Sequence, residues 1–328
     1  MASILFIGGT GQISLPCVRL AVEAGHKVSV LNRGRTDVGL PAGVESVVGD
    51  MNDAATYAAL GARNFDVVCQ FRTYTAEQMK KDIAAFTGKT GQYVFISSAS
   101  AYQKPAQHYV ITEKTPLENP YWPYSQAKIA CEAMLCAQAA LKWTIVRPSH
   151  TVRTGMPLAI GDGDAVARRL LRGAPVIVHG DGHSLWTLTR SVDLAVPFVK
   201  LLGNSQALGE DFHITNDRAF TWDEITHAIA AGLGVAANIV HVPTDTLIAY
   251  NKEWEGPLTG DKSWSALFDN AKVKRVAGDF TCADDLPTIL AESIANFSKR
   301  NATADQSPHA LDPLMDRICA EQSALGTS

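Results

Sequence analysis

The chain has 328 residues, 46% hydrophobic and 19% charged, with a formal net charge of −4. That is an ordinary globular composition with ample chain for a sizeable core in one large or two smaller domains; it argues against an electrostatic nucleic-acid binder, and no apolar run approaches the roughly 20 residues of a membrane span. The N-terminus enters a strand without the pattern of a secretory signal, and six cysteines, Cys17, Cys69, Cys131, Cys136, Cys282 and Cys319, lack paired or metal-ligand spacing, so buried free thiols in a reducing cytoplasm are expected.

The first apolar run, Ile4 to Ile7, stops at Gly8-Gly9-Thr10-Gly11, and a helix-compatible segment from Ile13 to Ala24 follows: strand, tight turn, helix. Gly8 and Gly11 let the backbone turn sharply and approach a ligand, and the new helix aims its free N–H groups and positive dipole end there, where a pyrophosphate is the usual occupant. Ser14 takes the place of the third glycine of the commonest dinucleotide fingerprint, where a small residue allows close helix–strand packing. The plain alternative is a tight connection with no ligand. Strands over Lys27–Leu31, Val44–Val48, Asp66–Gln70, Gln92–Ser97 and Trp143–Arg147 are expected to alternate with helices over Ala54–Leu60 (capped by Asp53), Thr75–Thr87 and Tyr124–Leu141. Repeated strand–helix units of this kind predict an α/β fold with a doubly wound parallel sheet, helices on both faces.

After Pro148 the pattern loosens. Loop signals stand at residues 161–164 and at Gly180–His183. Helices are expected over Asp164–Arg172, Asp193–Leu202, from a capping box at Thr221–Glu224 through Ala231, and over Ser263–Val276, Asp284–Lys299 and His309–Leu325. Short strands are expected over Pro175–Val178 and Phe212–Thr215. The expected organisation is a nucleotide-binding domain over residues 1–148 and a smaller substrate-binding region over 149–328, interleaved with the sheet.

Tyr124 and Lys128 stand four apart at the start of the long helix, so both side chains share one face. A lysine ammonium near a phenol favours the phenolate and lowers its pKa toward working pH. Such a tyrosine can take a proton from a hydroxyl, or give one to a carbonyl oxygen, during hydride transfer. Ser98, where the fifth strand ends, is placed to hold the reacting oxygen, because ligands of open α/β sheets gather at the carboxyl ends of strands. Each piece alone has a plain reading too: a helix-surface pair, and a serine turn. His150 is open between pocket lining and a structural role; Tyr121 and Trp122 are open between covering the substrate and anchoring a loop. The nine histidines are scattered, so no metal site is expected.

Taken in order, Gly8 to Ser14, Gly49-Asp50, Ile96 to Tyr102, Tyr124-Ser-Gln-Ala-Lys128, Arg147-Pro148-Ser149, Gly180-Asp181-Gly182, Ser191 to Ala195 and Thr221-Trp222 resemble the short-chain dehydrogenase/reductase superfamily, in its extended branch, the NAD-dependent epimerase/dehydratase family. The resemblance runs from residue 1 to about 300 and implies a Rossmann-type domain with a C-terminal substrate-binding cap. It implies Tyr124 as catalytic acid/base, Lys128 tuning it and holding the nicotinamide ribose, and Ser98 polarising the substrate oxygen, with Ser97 and Ser100 as alternatives. It places the cofactor against Gly8, Thr10, Gly11, Gln12, Ile13, Asn32, Arg33, Arg35, Asp50, Tyr124, Lys128 and Pro148, with Asp50 near the adenine. It places a sugar or sugar-nucleotide-like substrate against Ser98, Ser100, Ser149, His150 and Trp186. NAD-binding members carry an acidic residue at the end of the second strand; here Asn32 stands there with Arg33 and Arg35 after it. A guanidinium binds a 2′-phosphate that a carboxylate would repel, so NADP is favoured over NAD. Solvated loop charges are the plain reading of the same arginines.

Two departures stand out. Trp186 occupies the place of an arginine that grips the diphosphate of nucleotide-sugar substrates, which weakens the case for such a substrate unless Arg190 or Arg153 compensates. Cys69-Gln70-Phe71-Arg72 replaces a small-residue segment and reshapes the cleft. The Asn32-Arg33-Gly34 segment and Trp186 also resemble a divergent subgroup that includes plant chloroplast proteins reported as RNA-binding, so an epimerase-like fold that binds RNA without turnover is the alternative. The acidic net charge and the intact Tyr/Lys pair speak against it. The alanine face at Ala127, Ala130 and Ala137 makes a homodimer conceivable by resemblance. The residues leave the substrate unnamed and leave epimerisation, dehydration and reduction open.

Overall fold

In a computed structural model that describes residues 1–35, 39–161, 163–302 and 309–325, seven parallel strands make the central sheet. They are β1 (Ser3–Ile7), β2 (Lys27–Asn32), β3 (Glu45–Val48), β4 (Phe65–Gln70), β5 (Thr90–Ile96), β6 (Trp143–Pro148) and β7 (Glu210–Ile214), side by side in the order β7-β6-β5-β4-β1-β2-β3. Asp162, within the loop signal at 161–164, lies outside the described residues. The chain leaves β1 toward one edge of the sheet and later returns through β4 toward the other. The crevice between the two directions opens above β1 and β4, where Ile7 is level with both Leu31 and Gln70.

Every residue of Ile4 to Ile7 is apolar because both faces of the sheet are covered. Ile4 and Phe6 pack with Cys17, Val18 and Phe198, under helices α1 (Ser14–Glu23) and α5 (Ser191–Leu201). Leu5 and Ile7 pack on the opposite face with Tyr57, Met79 and Cys131, under α2 (Ala54–Gly61), α3 (Ala76–Phe86) and α4 (Pro123–Cys136). All six cysteines are free, and all but Cys136 are buried.

The second half returns to the sheet through α5 and β7, with Val273, Phe280 and Cys282 joining the sheet's core, and beyond these it builds its own core, in which Trp186, Phe220, Trp222 and Ile289 pack together. Beside it, Val176–His179 and Ile239–Val242 pair in parallel. A capping box opens the helix Trp222–Gly232, with Thr221 and Glu224 bonding each other's backbone. The tail helix, Asp312–Leu325, is tied down by Arg169, buried and paired with Asp312 at 3.0 Å.

Two expected helices differ. The helix over Ser263–Val276 is not formed; only Ala271–Ala277 is helical, and Leu267–Phe268 pairs with Val110–Ile111 instead. Tertiary hydrogen bonds win over local propensity here: Thr187 Oγ1 donates to Ala266 O at 2.6 Å, and Asn270 Nδ2 donates to Thr215 O at 3.0 Å. The Tyr124 helix stops at Cys136 rather than Leu141, because the chain must turn there and bury Leu141 before entering β6. Arg147 on β6 fixes that helix against the sheet. Its guanidinium meets Glu132 at 2.6 Å and Asp211 of β7 at 2.7 Å.

Candidate active site

The turn after β1 is held by its own atoms. Gly8 has φ of +84°, and a Cβ there would lie 2.3 Å from Arg72 Cγ, so glycine is required twice over. Ser14 does more than keep the helix close: its Oγ donates to Gly8 O at 2.6 Å and accepts from Gly11 N at 2.9 Å, locking the loop. The far side of the loop is clasped by residues 151–154. Gln12 Oε1 accepts from Thr154 N and Oγ1, at 3.1 and 3.0 Å, and Arg153 Nε donates to Gln12 O at 3.0 Å.

A cleft runs over this loop along the carboxyl ends of the strands. One half is walled by Thr10, Asn32, Arg33, Asp50 and Tyr74; the other by Gln12, Ile13, Ser97, Tyr124, Lys128 and Pro148; Gly8, Gly11, Arg72 and Tyr74 belong to both. Asn32 Oδ1 is spent on the turn, accepting from Gly34 N at 2.8 Å, and Asp50 Oδ1 accepts from Asn52 N at 2.9 Å. Arg35 is exposed, like Arg33, and is not among the residues that line this half of the cleft. The glycine cradle, the length of the cleft and the buried Ser97 Oγ, which has no hydrogen-bond partner among the described residues although its residue lies on the wall, fit an extended polar cofactor such as a dinucleotide.

Tyr124 and Lys128 share one helix face, as their spacing predicts, but the expected lowering of the phenol is absent. Lys128 Nζ turns to Thr73 O at 2.7 Å and Ile96 O at 2.9 Å and lies 5.9 Å from the centre of the Tyr124 ring. Burial pushes the phenol up to about 12, against a hydrogen bond from Ser98 that works the other way. Burial also drives the Lys128 ammonium down to about 8. Thr73, which holds Lys128 by its carbonyl, is itself fixed by Asp82: the buried carboxylate accepts from Thr73, Tyr57, Tyr93 at 2.6 Å and Gln70 at 3.1 Å. Gln70, in the segment that departs from small residues, thus orders the end of β4, also accepting from Arg72 N at 2.8 Å.

Beyond Tyr124 the cleft opens into a second cavity of about 260 Å³. Ser98, Tyr124, Pro148 and Ser149 line both spaces, so the phenol stands at their junction. Ser98 Oγ lies 2.9 Å from Ser100 Oγ, which Ser125 reaches at 2.8 Å. Trp186 and His150 form one wall, the indole N–H donating to His150 Nδ1 at 3.1 Å. Enclosure, with Lys262 nearby, pushes His150 down to about 3, so it is neutral. Trp122 lines the cavity and seats its ring on Gly256, where a Cβ would lie 2.3 Å away. Neither arginine proposed to compensate for Trp186 does so, since Arg190 is paired with Asp193 at 2.7 Å and Arg153 is held at Gln12.

Among the wall residues without a sequence signal as site residues are Tyr74 and Lys104, in loops, and Asp261 and Phe268, brought in from the second half. Asn119 makes that join, its Nδ2 donating to Ser100 O at 2.7 Å and to Gly260 O at 2.6 Å. Enclosure pushes Asp261 up to about 6, opposed by Lys104 and Lys262. Arg72 was visible only as part of the unusual segment after β4.

Residues 4–215 match the family model described as NAD dependent epimerase/dehydratase family. The chain is 26% identical over 283 residues to a 2′-dehydrokanamycin reductase of Streptomyces kanamyceticus, covering 84% of this chain and 79% of that protein. It is 30% identical over 258 residues to the chloroplast stem-loop binding protein of 41 kDa b of Arabidopsis thaliana, covering 73% of this chain and 65% of that protein. Its fold is similar to that of UDP-glucose 4-epimerase from Bifidobacterium longum in complex with NAD+ and UDP, with a TM-score of 0.71, 18% identity, and coverage of 91% of this chain and 98% of that one.

Proposed function

This chain belongs to the NAD dependent epimerase/dehydratase family, and on that premise we propose that it moves a hydride between a nicotinamide cofactor and a hydroxyl or carbonyl carbon of a sugar-like substrate, with Tyr124 handling the proton. It is an NAD(P)-dependent enzyme of sugar-related chemistry; the proton-handling tyrosine, the choice of NADP and the simple redox outcome are our reading. One observation carries it: Tyr124 and Ser98 stand where the cofactor cleft meets the substrate cavity. Bound in the cleft, the nicotinamide supplies or accepts the hydride. Ser98 hydrogen-bonds the substrate oxygen, and Tyr124 gives that oxygen a proton in reduction or takes one in oxidation. A phenol held up by burial is protonated at neutral pH, the form that reduction needs. Lys128 is anchored at Thr73 and Ile96, beside the ribose end of the cleft, and Arg33 on the wall supports NADP over NAD. The relative named as a 2′-dehydrokanamycin reductase, and the Trp186 wall without an arginine, favour ketone reduction on a glycoside. The test is isotopic: reduction with cofactor deuterated at C4 should leave deuterium on the product carbinol carbon, and unlabelled product overturns the reading.

The six free cysteines fit a reducing cytoplasm, and a second copy would meet the α4 face on which Ala130 and Ala137 are exposed; sedimentation of an Ala130→Arg variant tests that contact. A second reading, RNA binding, is favoured by the stem-loop binding relative. Tight, steeply salt-dependent RNA binding with no cofactor binding would replace the first reading by the second.

A further inference from the structure

The far wall of the substrate cavity holds two opposite charges that the protein leaves unpaired. Lys104 is 3% exposed, yet its Nζ has no hydrogen-bond or ion-pair partner among the described residues. The Asp261 carboxylate lines the same cavity and likewise has none. Each is nonetheless felt by the other, and Asp261 by Lys262 as well. Lys262 itself points elsewhere, its Nζ at 3.5 Å from Ala159 O and over the Trp222 ring. Neutral His150 and the Trp186 indole, already engaged with each other, add no charge.

Burying an ammonium without a partner is costly, and a wall that keeps one beside an unsatisfied carboxylate is built for a ligand that satisfies both. A hydroxyl does this with one oxygen, accepting from the ammonium while donating to the carboxylate. A phosphate would satisfy Lys104 but press anionic oxygens against Asp261. Aromatic walls from Trp122 and Phe268 give a sugar ring flat apolar faces to pack on. At about 260 Å³ the space is also below the roughly 300–1,000 Å³ of sites that enclose a drug-sized ligand, which suits one ring and its substituents.

Resting on the function proposed above, we infer that Lys104 and Asp261 clasp a ring hydroxyl of the substrate between them, and that the unit they select is an uncharged sugar ring rather than a phosphorylated one. The pair takes over, with opposite preference, the selecting role that an arginine at the position of Trp186 would have had.

The test is calorimetric titration of the full chain saturated with NADP, with methyl glucoside and methyl galactoside as neutral probes and glucose 1-phosphate and UDP-glucose as charged ones. At least one neutral glycoside should bind saturably, and UDP-glucose should bind no more tightly than it. Lys104→Met and Asp261→Asn should each weaken the neutral probe about tenfold or more, the worth of one hydrogen bond to a charged group, with NADP affinity unchanged. Asp261→Asn should in addition strengthen glucose 1-phosphate. Each substitution removes an unpaired enclosed charge, so folding is retained, and either variant reads the clasp if the other is lost. The inference is overturned if no neutral glycoside binds, if UDP-glucose binds more than about tenfold tighter than the neutral probe, or if both variants leave the neutral probe untouched. Failure of the underlying reading shows separately, as absent deuterium transfer with these isotherms intact.

Discussion

The cofactor cleft and the substrate cavity meet at Tyr124 but are built by opposite means. The cleft is local: turns that follow β1, β2, β3 and β4 supply most of its wall, and the glycine turn is held by Ser14, only six residues from Gly8. The cavity is composite: Ser98, Lys104, Trp122, His150, Trp186, Asp261 and Phe268 reach it from segments spread over more than half the chain. One is set by the strand ends of the sheet; the other depends on segments brought together by the whole fold.

Tyr124→Phe is the sharpest cut along this division. Turnover should fall by about 10²–10⁴-fold, the span general acid–base catalysis usually supplies, while cofactor affinity measured by fluorescence titration stays within about twofold. A parallel fall in cofactor affinity would show that the border belongs to the cleft.

Acidity tests the same tyrosine without a substitution. With the phenol pushed up to about 12 by burial, its deprotonated fraction grows with pH throughout the working range. Alcohol oxidation should therefore climb by up to about tenfold per pH unit from roughly pH 6 to 9, while ketone reduction stays level. Equal slopes in the two directions would remove Tyr124 from proton transfer.

Gly8→Ala strikes the local region alone. A side chain at φ +84°, meeting Arg72 Cγ at 2.3 Å, should cost about 1–2 kcal/mol in denaturant unfolding. Cofactor affinity should drop several-fold with it, and glycoside binding should be spared once cofactor is saturating. The smallest effect is expected at exposed Arg33. Arg33→Ala should weaken NADP about fivefold and leave NAD unchanged in paired titrations, because a surface guanidinium acts through a screened contact with the extra phosphate. Equal loss for both dinucleotides would assign Arg33 to the shared part of the cofactor.

The same contrast decides what could be read before any coordinates. Strand, glycine turn and helix follow one another within the first 24 residues, so periodicity and turn chemistry reveal them, as they do Tyr124 and Lys128 four apart on one helix. Lys128 was placed correctly yet its effect was not, since the carbonyls of Thr73 and Ile96 that capture it lie 55 and 32 residues away. Lys104 stands in a loop and Asp261 in the short helical turn Leu258–Lys262, neither with a periodicity that marks a site, and the Asn119 bridge to Ser100 and Gly260 helps give Asp261 its place. Ser263–Val276 misled for a related reason: its sequence suits a helix, but Thr187 and Asn270 hold its first half extended. Charge alone does not rank Arg33 and Arg35, both exposed, and of the two Arg33 lines the cleft.

The clasp of Gln12 by Thr154 and Arg153 joins positions some 142 residues apart. On the proposed function, stiffening of the opening turn is expected to reach the strap that carries His150 and Ser149, and so to link loading of the coenzyme with readiness of the sugar chamber. By reciprocity, a glycoside that favours the coenzyme-loaded form should raise the affinity for the dinucleotide by the same factor that the dinucleotide raises its own.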